Sequence, residues 1–305
     1  MLPTLPDPVL AMATRGDDWA AYVDRVPRLL RELVEEWSLR PEGPVWWGHA
    51  SVVLPVVDDD GSEVVLKVAF PDVETEHEAL ALRTWSGRGA VTLLRADPHR
   101  RAVLLERLER RDLTEEWDLA ACETVARLYG DLHVPAPARV RTVASYVGSY
   151  VERMRALPVD GPLPHRMVEQ WLAHVRDLVA DKAGVTGGRL VHGDLHYENV
   201  LADPRAPGEW RVIDPHAMNG DPTWELAPML WNRFEETAGD VHRSLRTRFE
   251  TLVDTAGLDE DRARAWVHVR LLLNALWEVE EADAGRPVDR DYVTRMITVA
   301  KAVVG

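Results

Sequence analysis

Three side chains between Arg189 and Pro215 have the types and spacing that transfer of a phosphoryl group requires. Asp194 and Asn199 stand in the interval Asp-x-x-x-x-Asn, and Asp214 follows at the end of the next hairpin strand. In such a site one carboxylate orients the acceptor hydroxyl. An amide and a second carboxylate hold magnesium against the phosphates. The segment reads RLVHGDLHYENVLADPRAPGEWRVIDP. Its apolar runs, 189–191, 199–202 and 210–213, each end beside polar groups that burial without a partner would penalise.

The phosphates also need a cation. Lysine occurs only at Lys67, Lys182 and Lys301, so Lys67 stands out inside the strand-like run 63–70. There Val64, Leu66, Val68 and Phe70 face one way, and Val65, Lys67 and Ala69 the other. A carboxylate from the following helix, 72–85, is expected to hold the lysine. Glu78 shares a face with Ala81, Leu82 and Trp85 and is the choice; Glu74, one turn earlier, is the alternative. The turn WGHAS, 47–51, is the candidate phosphate cover. Gly48 is its single glycine, and Ala50 and Ser51 are small enough to let backbone N–H groups approach. Backbone groups near Glu106 and Leu108, closing a strand over 101–108, are placed to meet a nucleobase edge.

These residues need elements to carry them. Asp17 and Asp18 can cap a helix running to Trp37, which Pro27 should kink or split. Strands follow at 44–47, 52–57, 63–70 and 101–108. After Leu108 helices dominate. Asp112 and Glu115 suit a capping box for a helix to His133. Further helices fall near 142–156, 164–182, 223–238, 241–256, 259–283 and 289–304, with Gly257 and Gly285 at C-terminal caps. The reading is α+β: a β-rich nucleotide-binding lobe over 1–108 and a mostly helical lobe over 109–305 for catalysis, metal and acceptor.

Composition narrows the partners. A net charge of −15 disfavours nucleic acid; it favours a small cationic acceptor or simply serves the solubility of an acidic protein, and the second reading has at least equal weight. The single cysteine, Cys122, excludes an intrachain disulfide and sits on an apolar helical face as core filler. The N-terminal stretch lacks a basic region before its prolines, and no run of 18 apolar residues exists. A cytoplasmic protein without a membrane partner, monomeric or homodimeric, is expected.

Asp221 and Glu225 lie at the mouth of a helix. Capping is their leading reading, because the helix dipole favours a carboxylate there anyway; contact with the acceptor is the second. His196, His216 and Glu235 complete the candidate acceptor set. The acidic clusters 235–236 and 278–283 are read as solvent faces, unless some bind amines or guanidines of the acceptor.

The stretches VLKV (65–68), EALALR (78–83), LVHGDLHYENVL (190–201), VIDP (212–215) and GDPTWELAPMLWNR (220–233) resemble the aminoglycoside phosphotransferase family. The similarity is to the branch with streptomycin 6-phosphotransferases and hydroxyurea phosphotransferases. The resemblance implies a two-lobed, protein-kinase-like fold and transfer from ATP, with GTP as an option, and Mg²⁺ to a hydroxyl. Position by position, it makes Asp194 the base, Asn199 and Asp214 the magnesium ligands, Lys67 the phosphate lysine and Glu78 its partner. Glu225 stands where this branch often has aspartate, and His216 also departs from it. Gly193 replaces the arginine of protein kinases. Only six residues separate Asp214 from Asp221, too few for an activation loop, so activity without phosphorylation is expected.

Two other functions compete. His192, Asp194 and His196 at alternate positions can share a metal in a hydrolase. The chain can also be a nucleotide-binding module without catalysis, although the intact set Lys67, Asp194, Asn199 and Asp214 argues against it. Within the kinase reading the acceptor is streptomycin-like, another cationic antibiotic, hydroxyurea or a metabolite.

Overall fold

The computed structural model describes residues 3–181, 188–237, 239–283 and 287–304. The chain divides into two compact units, Met1–Glu109 with Asp203–Pro207, and Arg110–Ala202 with Gly208–Gly305.

The first unit is a helix on an antiparallel sheet. Two short edge strands, β1 (Arg40–Pro41) and β2 (Trp46–Trp47), both pair with β3 (Ser51–Val57). The sheet continues through β4 (Glu63–Ala69) and β6 (Ala102–Glu106) to β5 (Leu93–Asp97). A short α1 (Asp7–Ala11) precedes α2 (Asp17–Glu36), whose Val26, Leu30 and Leu33 join Val52, Leu54, Leu66, Val68 and Leu104 in one core. The Tyr22 hydroxyl donates to the Val68 carbonyl at 2.9 Å, fixing helix against sheet. Helix α3 (Glu78–Trp85), with Ala81, Leu82 and Trp85 fully buried, adds a second apolar layer to this unit.

Several local expectations shift. Pro27 neither ends nor divides α2. A proline inside a helix costs about 3 kcal/mol, whereas each buried Leu or Val returns about 1.5–3 kcal/mol, and α2 buries six such side chains or tyrosines across the proline. The N-cap is Gly16, not Asp17 or Asp18, which begin the first turn. Helix α3 starts at Glu78 because Asp72 first caps a separate turn, accepting from the Glu74 and Thr75 N–H groups at 2.9 and 2.8 Å.

The second unit is helical around two small strand pairs. Its helices are α4 (Asp118–Leu132), α5 (Val143–Gly148), α6 (Val151–Arg155), α7 (His165–Ala180), α8 (Ala227–Trp231), α9 (Val241–Ala256), α10 (Glu260–Asp283) and α11 (Arg290–Val304). Helix α10 is buried at Val267, Val269, Leu271, Leu272, Leu273 and Ala275, hence around its whole circumference, as a central helix must be. Strands β7 (Arg189–Val191) and β10 (Met218–Gly220) pair, as do β8 (Val200–Ala202) and β9 (Trp210–Val212).

Here too caps and breaks differ. Asp112 caps only a 3-10 turn at Leu113–Glu115, and α4 starts afresh at Asp118. The helix expected over 223–238 is a 3-10 turn, α8 and a further 3-10 turn at Phe234–Thr237. The break is enforced by Arg248 of α9, fully buried, which donates to the carbonyls of Asn232 and Arg233 at 2.9 and 3.0 Å. Gly257 ends α9 in the left-handed conformation, whereas Gly285 lies outside the described residues. No helix among the described residues is long and apolar enough to cross a membrane.

Two contacts make stability predictions. Arg248 Nε donates to Asp118 Oδ2 at 2.6 Å, joining α9 to α4, and the other Asp118 oxygen accepts from the Tyr197 hydroxyl at 2.7 Å. Removing one partner of a buried pair leaves the other uncompensated, at about 3–5 kcal/mol. Arg248→Met is expected to lower unfolding free energy by that amount in urea titration, with partial recovery in Arg248→Met/Asp118→Asn.

His268 of α10 meets His174 of α7 edge to face at 5.3 Å, and neither His268 ring nitrogen has a hydrogen-bond partner among the described residues. Burial lowers its pKa from 6.5 to about 3. The unfolded chain therefore binds this proton below pH 6.5 while the folded chain does not, so stability falls as pH drops from 6.5. His268→Leu is expected to reduce the slope of unfolding free energy between about pH 6 and 5 by roughly 1.4 kcal/mol per unit.

Candidate active site

In the first unit the lysine and its carboxylate meet. Strand alternation turns Lys67 away from the face of β4 that packs under α2, and its Nζ lies 2.6 Å from Glu78 Oε1. Glu78 opens α3 on the same face as Ala81, Leu82 and Trp85. Lysine and glutamate are 5 % and 4 % exposed, so the pair sits in low dielectric, where either charge alone would be costly.

The turn over 47–51 is a tight hairpin between β2 and β3. Gly48 N–H donates to the Ser51 carbonyl at 3.0 Å, and the Ala50 carbonyl accepts from Phe70 N–H at 2.7 Å. At the end of β6 the Glu106 N–H is taken by the Thr92 carbonyl, 3.1 Å away. The Glu106 side chain accepts from the Thr92 N–H at 2.7 Å and pairs with Arg205.

In the second unit β7 delivers the chain into the loop 192–196. His192 is fully buried, and burial lowers its pKa to about 4, so the ring is neutral. Its Nδ1 accepts from the Asp194 N–H at 3.3 Å, which assigns the ring proton to Nε2, and Nε2 donates to the Ile213 carbonyl at 2.8 Å. With both nitrogens engaged, His192 has no lone pair to offer a metal. The hydrolase reading fails on that geometry.

Asn199 closes the loop. Its Nδ2 donates to the Asp194 carbonyl at 2.8 Å, and its own carbonyl accepts from Ile213 N–H at 2.9 Å. The amide nitrogen being used inside the loop, Oδ1 is the atom left for a cation. Asp214 follows in the left-handed region, φ 56°. A non-glycine residue there costs about 1–3 kcal/mol and persists only where its surroundings hold it. Asp194, Asn199 and Asp214 are thus tied together by four backbone-linked contacts, through Ile213 and His192, and each is half-buried.

Gly193 is irreplaceable for two reasons. Its φ is 85°, and a Cβ would lie 2.2 Å from the His216 carbonyl oxygen. An arginine, as protein kinases carry there, cannot be accommodated.

The acceptor candidates divide. Glu225 is 1 % exposed, and its two oxygens accept from the N–H groups of Gly193 at 2.8 Å and His192 at 3.1 Å. Burial pushes its pKa up to about 7, against the opposing effect of those N–H groups and Arg270. Both of its oxygens are thus engaged by the backbone of the loop. Asp221 is buried as well; it caps the turn at Pro222–Leu226 through Thr223 N–H at 2.9 Å and pairs with Arg262. Capping, the leading reading, is what the geometry shows. Glu235 is exposed and paired with Arg295 at 2.8 Å. His196 is half-buried, its Nε2 3.7 Å from Asp194 Oδ2, while His216 meets Gly193 through its backbone.

Three positions escaped the sequence reading. Arg248 and Asp118 support Tyr197, in the turn between His196 and Asn199. Arg270 donates from Nη2 to the Gly193 carbonyl at 2.5 Å. The available signal was polarity inside an apolar run: His268, Arg270 and Asn274 interrupt AWVHVRLLLNAL.

Comparison with known proteins places the chain in a family. Residues 36–282 match the model of the aminoglycoside/hydroxyurea antibiotic resistance kinase family. A streptomycin 6-kinase from Streptomyces glaucescens is 39 % identical over 92 % of this chain and 92 % of its own. A hydroxyurea phosphotransferase from Kitasatospora aureofaciens is 38 % identical over 93 % and 80 %. In fold, the chain is similar to a choline/ethanolamine kinase family protein from Mesorhizobium loti, with a TM-score of 0.65 at 17 % identity over 92 % of this chain and 94 % of that one. It is also similar to an aminoglycoside phosphotransferase from Streptomyces rimosus in complex with ADP and streptomycin, with a TM-score of 0.52 at 21 % identity, over 81 % and 97 %. A family match over most of the chain, carried by relatives near 39 % identity, settles its kinship: the chain belongs to the aminoglycoside/hydroxyurea antibiotic resistance kinases.

Proposed function

We propose that the protein transfers the γ-phosphoryl group of ATP to a hydroxyl of a small cationic acceptor of the streptomycin type. The observation that carries this reading is the closed loop of contacts that fixes Asp194, Asn199 and Asp214 relative to one another. A hydrolase or a passive binding module has no need of that set.

Each residue then has a task. Lys67, oriented by Glu78, neutralises the α- and β-phosphates as a point charge. The amide oxygen of Asn199 and the carboxylate of Asp214 are hard oxygen donors, the chemistry that magnesium prefers, and would hold the ion. When bound, magnesium offsets charge on the phosphate oxygens. The Leu108 N–H, which has no acceptor among the described residues, would donate to the nucleobase edge. The turn carrying Gly48 and Ser51 covers the phosphates. Asp194 orients the acceptor hydroxyl. As the bond between the γ-phosphorus and its bridging oxygen breaks, the hydroxyl oxygen forms the new bond, and its proton passes to the Asp194 carboxylate.

The acceptor is argued from charge and kinship. A protein of net charge −15 attracts cations. Streptomycin 6-kinases and a hydroxyurea phosphotransferase stand at nearly equal identity to this chain, so the panel must contain both compounds.

Asp194→Asn is expected to lower kcat about 10²–10⁴-fold with the KM for ATP little changed, and Lys67→Met to raise that KM as well as lower kcat. Steady-state kinetics on both variants measure this; full turnover in Asp194→Asn removes the base assignment. A radiolabelled ATP assay with streptomycin, other aminoglycosides and hydroxyurea is expected to show the highest kcat/KM on streptomycin, with magnesium required. Transfer to hydroxyurea alone overturns the cationic acceptor and leaves the phosphotransferase.

A further inference from the structure

Arg270 is a costly residue. It sits in the most apolar stretch of α10, between Val269 and Leu271, and is 7 % exposed. Taking a guanidinium out of water is costly unless the site compensates it, and an apolar residue of similar size would serve packing better. Its compensation is specific. Nη2 donates to the Gly193 carbonyl at 2.5 Å, while Nε and Nη1 have no hydrogen-bond partner among the described residues. The guanidinium lies over the rings of Trp224 and Trp231, 4.5 and 5.6 Å from their centroids. Trp224 immediately precedes Glu225, so one short turn both seats the arginine and supplies the carboxylate that binds Gly193 N–H.

We infer that Arg270 is a positioning residue for phosphoryl transfer, acting on Asp194 through the backbone of Gly193. The inference rests on the proposed role of Asp194 as the base. Gly193 is gripped at both its polar groups, its N–H by Glu225 and its C=O by Arg270. The next residue is Asp194, whose N–H is already committed to His192. Releasing the Gly193 carbonyl frees the peptide that carries Asp194, and displacement of a reacting group by about 1 Å can cost on the order of 10²-fold in rate.

The grip has an electrostatic side. Glu225 faces Arg270 from α10, Asp194 and His192 from the loop, and Tyr129 of α4, whose hydroxyl donates to its backbone carbonyl at 3.3 Å. His192 is neutral, so Arg270 is the cation that opposes burial and Asp194 in setting the ionisation of Glu225. Protonation would convert one of its acceptor oxygens into a hydroxyl and loosen the loop. Loss of Arg270 therefore moves the acidic limb of activity to higher pH.

Arg270→Met, Arg270→Lys and Asp194→Asn in the full-length protein test this, with kcat, the KM for ATP and acceptor, the pH dependence of kcat and urea unfolding measured for each. Expected for Arg270→Met is a kcat about 10–100-fold lower, a KM for ATP within about twofold, and an acidic limb about one pH unit higher. Arg270→Lys restores a charge and a donor, so it recovers the limb and part of kcat, and it serves alone should the methionine variant not fold. Unchanged kcat in a folded variant overturns the inference. So does a loss of stability and kcat together with an unmoved limb and no rescue by lysine, which marks a packing role only. If Asp194→Asn is inactive while Arg270→Met is fully active, only the Arg270 assignment falls. If Asp194→Asn keeps full turnover, the base reading falls and takes this one with it.

Discussion

The carboxylate of Glu225, buried against the N–H groups of His192 and Gly193, is the interaction on which the rest of the loop depends. A buried carboxylate is expensive: burial raises its pKa to about 7 even against the two N–H groups and Arg270. Charge-assisted bonds to two backbone N–H groups are about twice as strong as neutral ones and offset that expense. What they fix is a bend that no side chain could occupy, because the His216 carbonyl leaves no room for a Cβ at Gly193. From there the constraints run forward in sequence. His192 holds the Asp194 N–H and the Ile213 carbonyl, Asn199 holds the Asp194 carbonyl, and Ile213 N–H holds the Asn199 carbonyl. Asp214, in its left-handed conformation, is the last link and is sustained by the ones before it.

How legible this was depends on distance along the chain. Asp194, Asn199 and Asp214 lie within about twenty residues, and their relation is written in spacing. Lys67 follows from strand alternation and Glu78 from the apolar face of α3, both local rules. Strand β5 was not legible: Leu94 and Arg95 are exposed, and its register shifts between Leu93 and Arg95, so it lacks a two-residue period. The continuity of α2 through Pro27 was hidden because local propensity was outweighed by the core it packs against. Glu225 looked like a cap because a carboxylate at a helix start ordinarily is one. Its task appears only when β7 brings His192 beside it, 33 residues away in sequence. Arg270, 77 residues from Gly193, had no local signature beyond a charge among leucines.

Burial also sorts the acidic residues, and the sorting bears on the acceptor. Asp118, Asp221 and Glu225 look alike in sequence, but each is spent on structure: on Arg248 and Tyr197, on a cap and Arg262, and on the catalytic loop. A carboxylate so engaged has no charge to offer an incoming cation without losing what it supports. Glu198 differs. It is exposed, four residues after Asp194 on the turn that ends in Asn199, and the His196 ring lies 3.9 Å from its carboxylate. Under the proposed function, an exposed group such as Glu198 can meet a cationic acceptor without disturbing those buried contacts. The contacts that hold the loop are buried and the exposed carboxylate takes no part in them, so substitution at Glu198 leaves Asp194, Asn199 and Asp214 tied as they are.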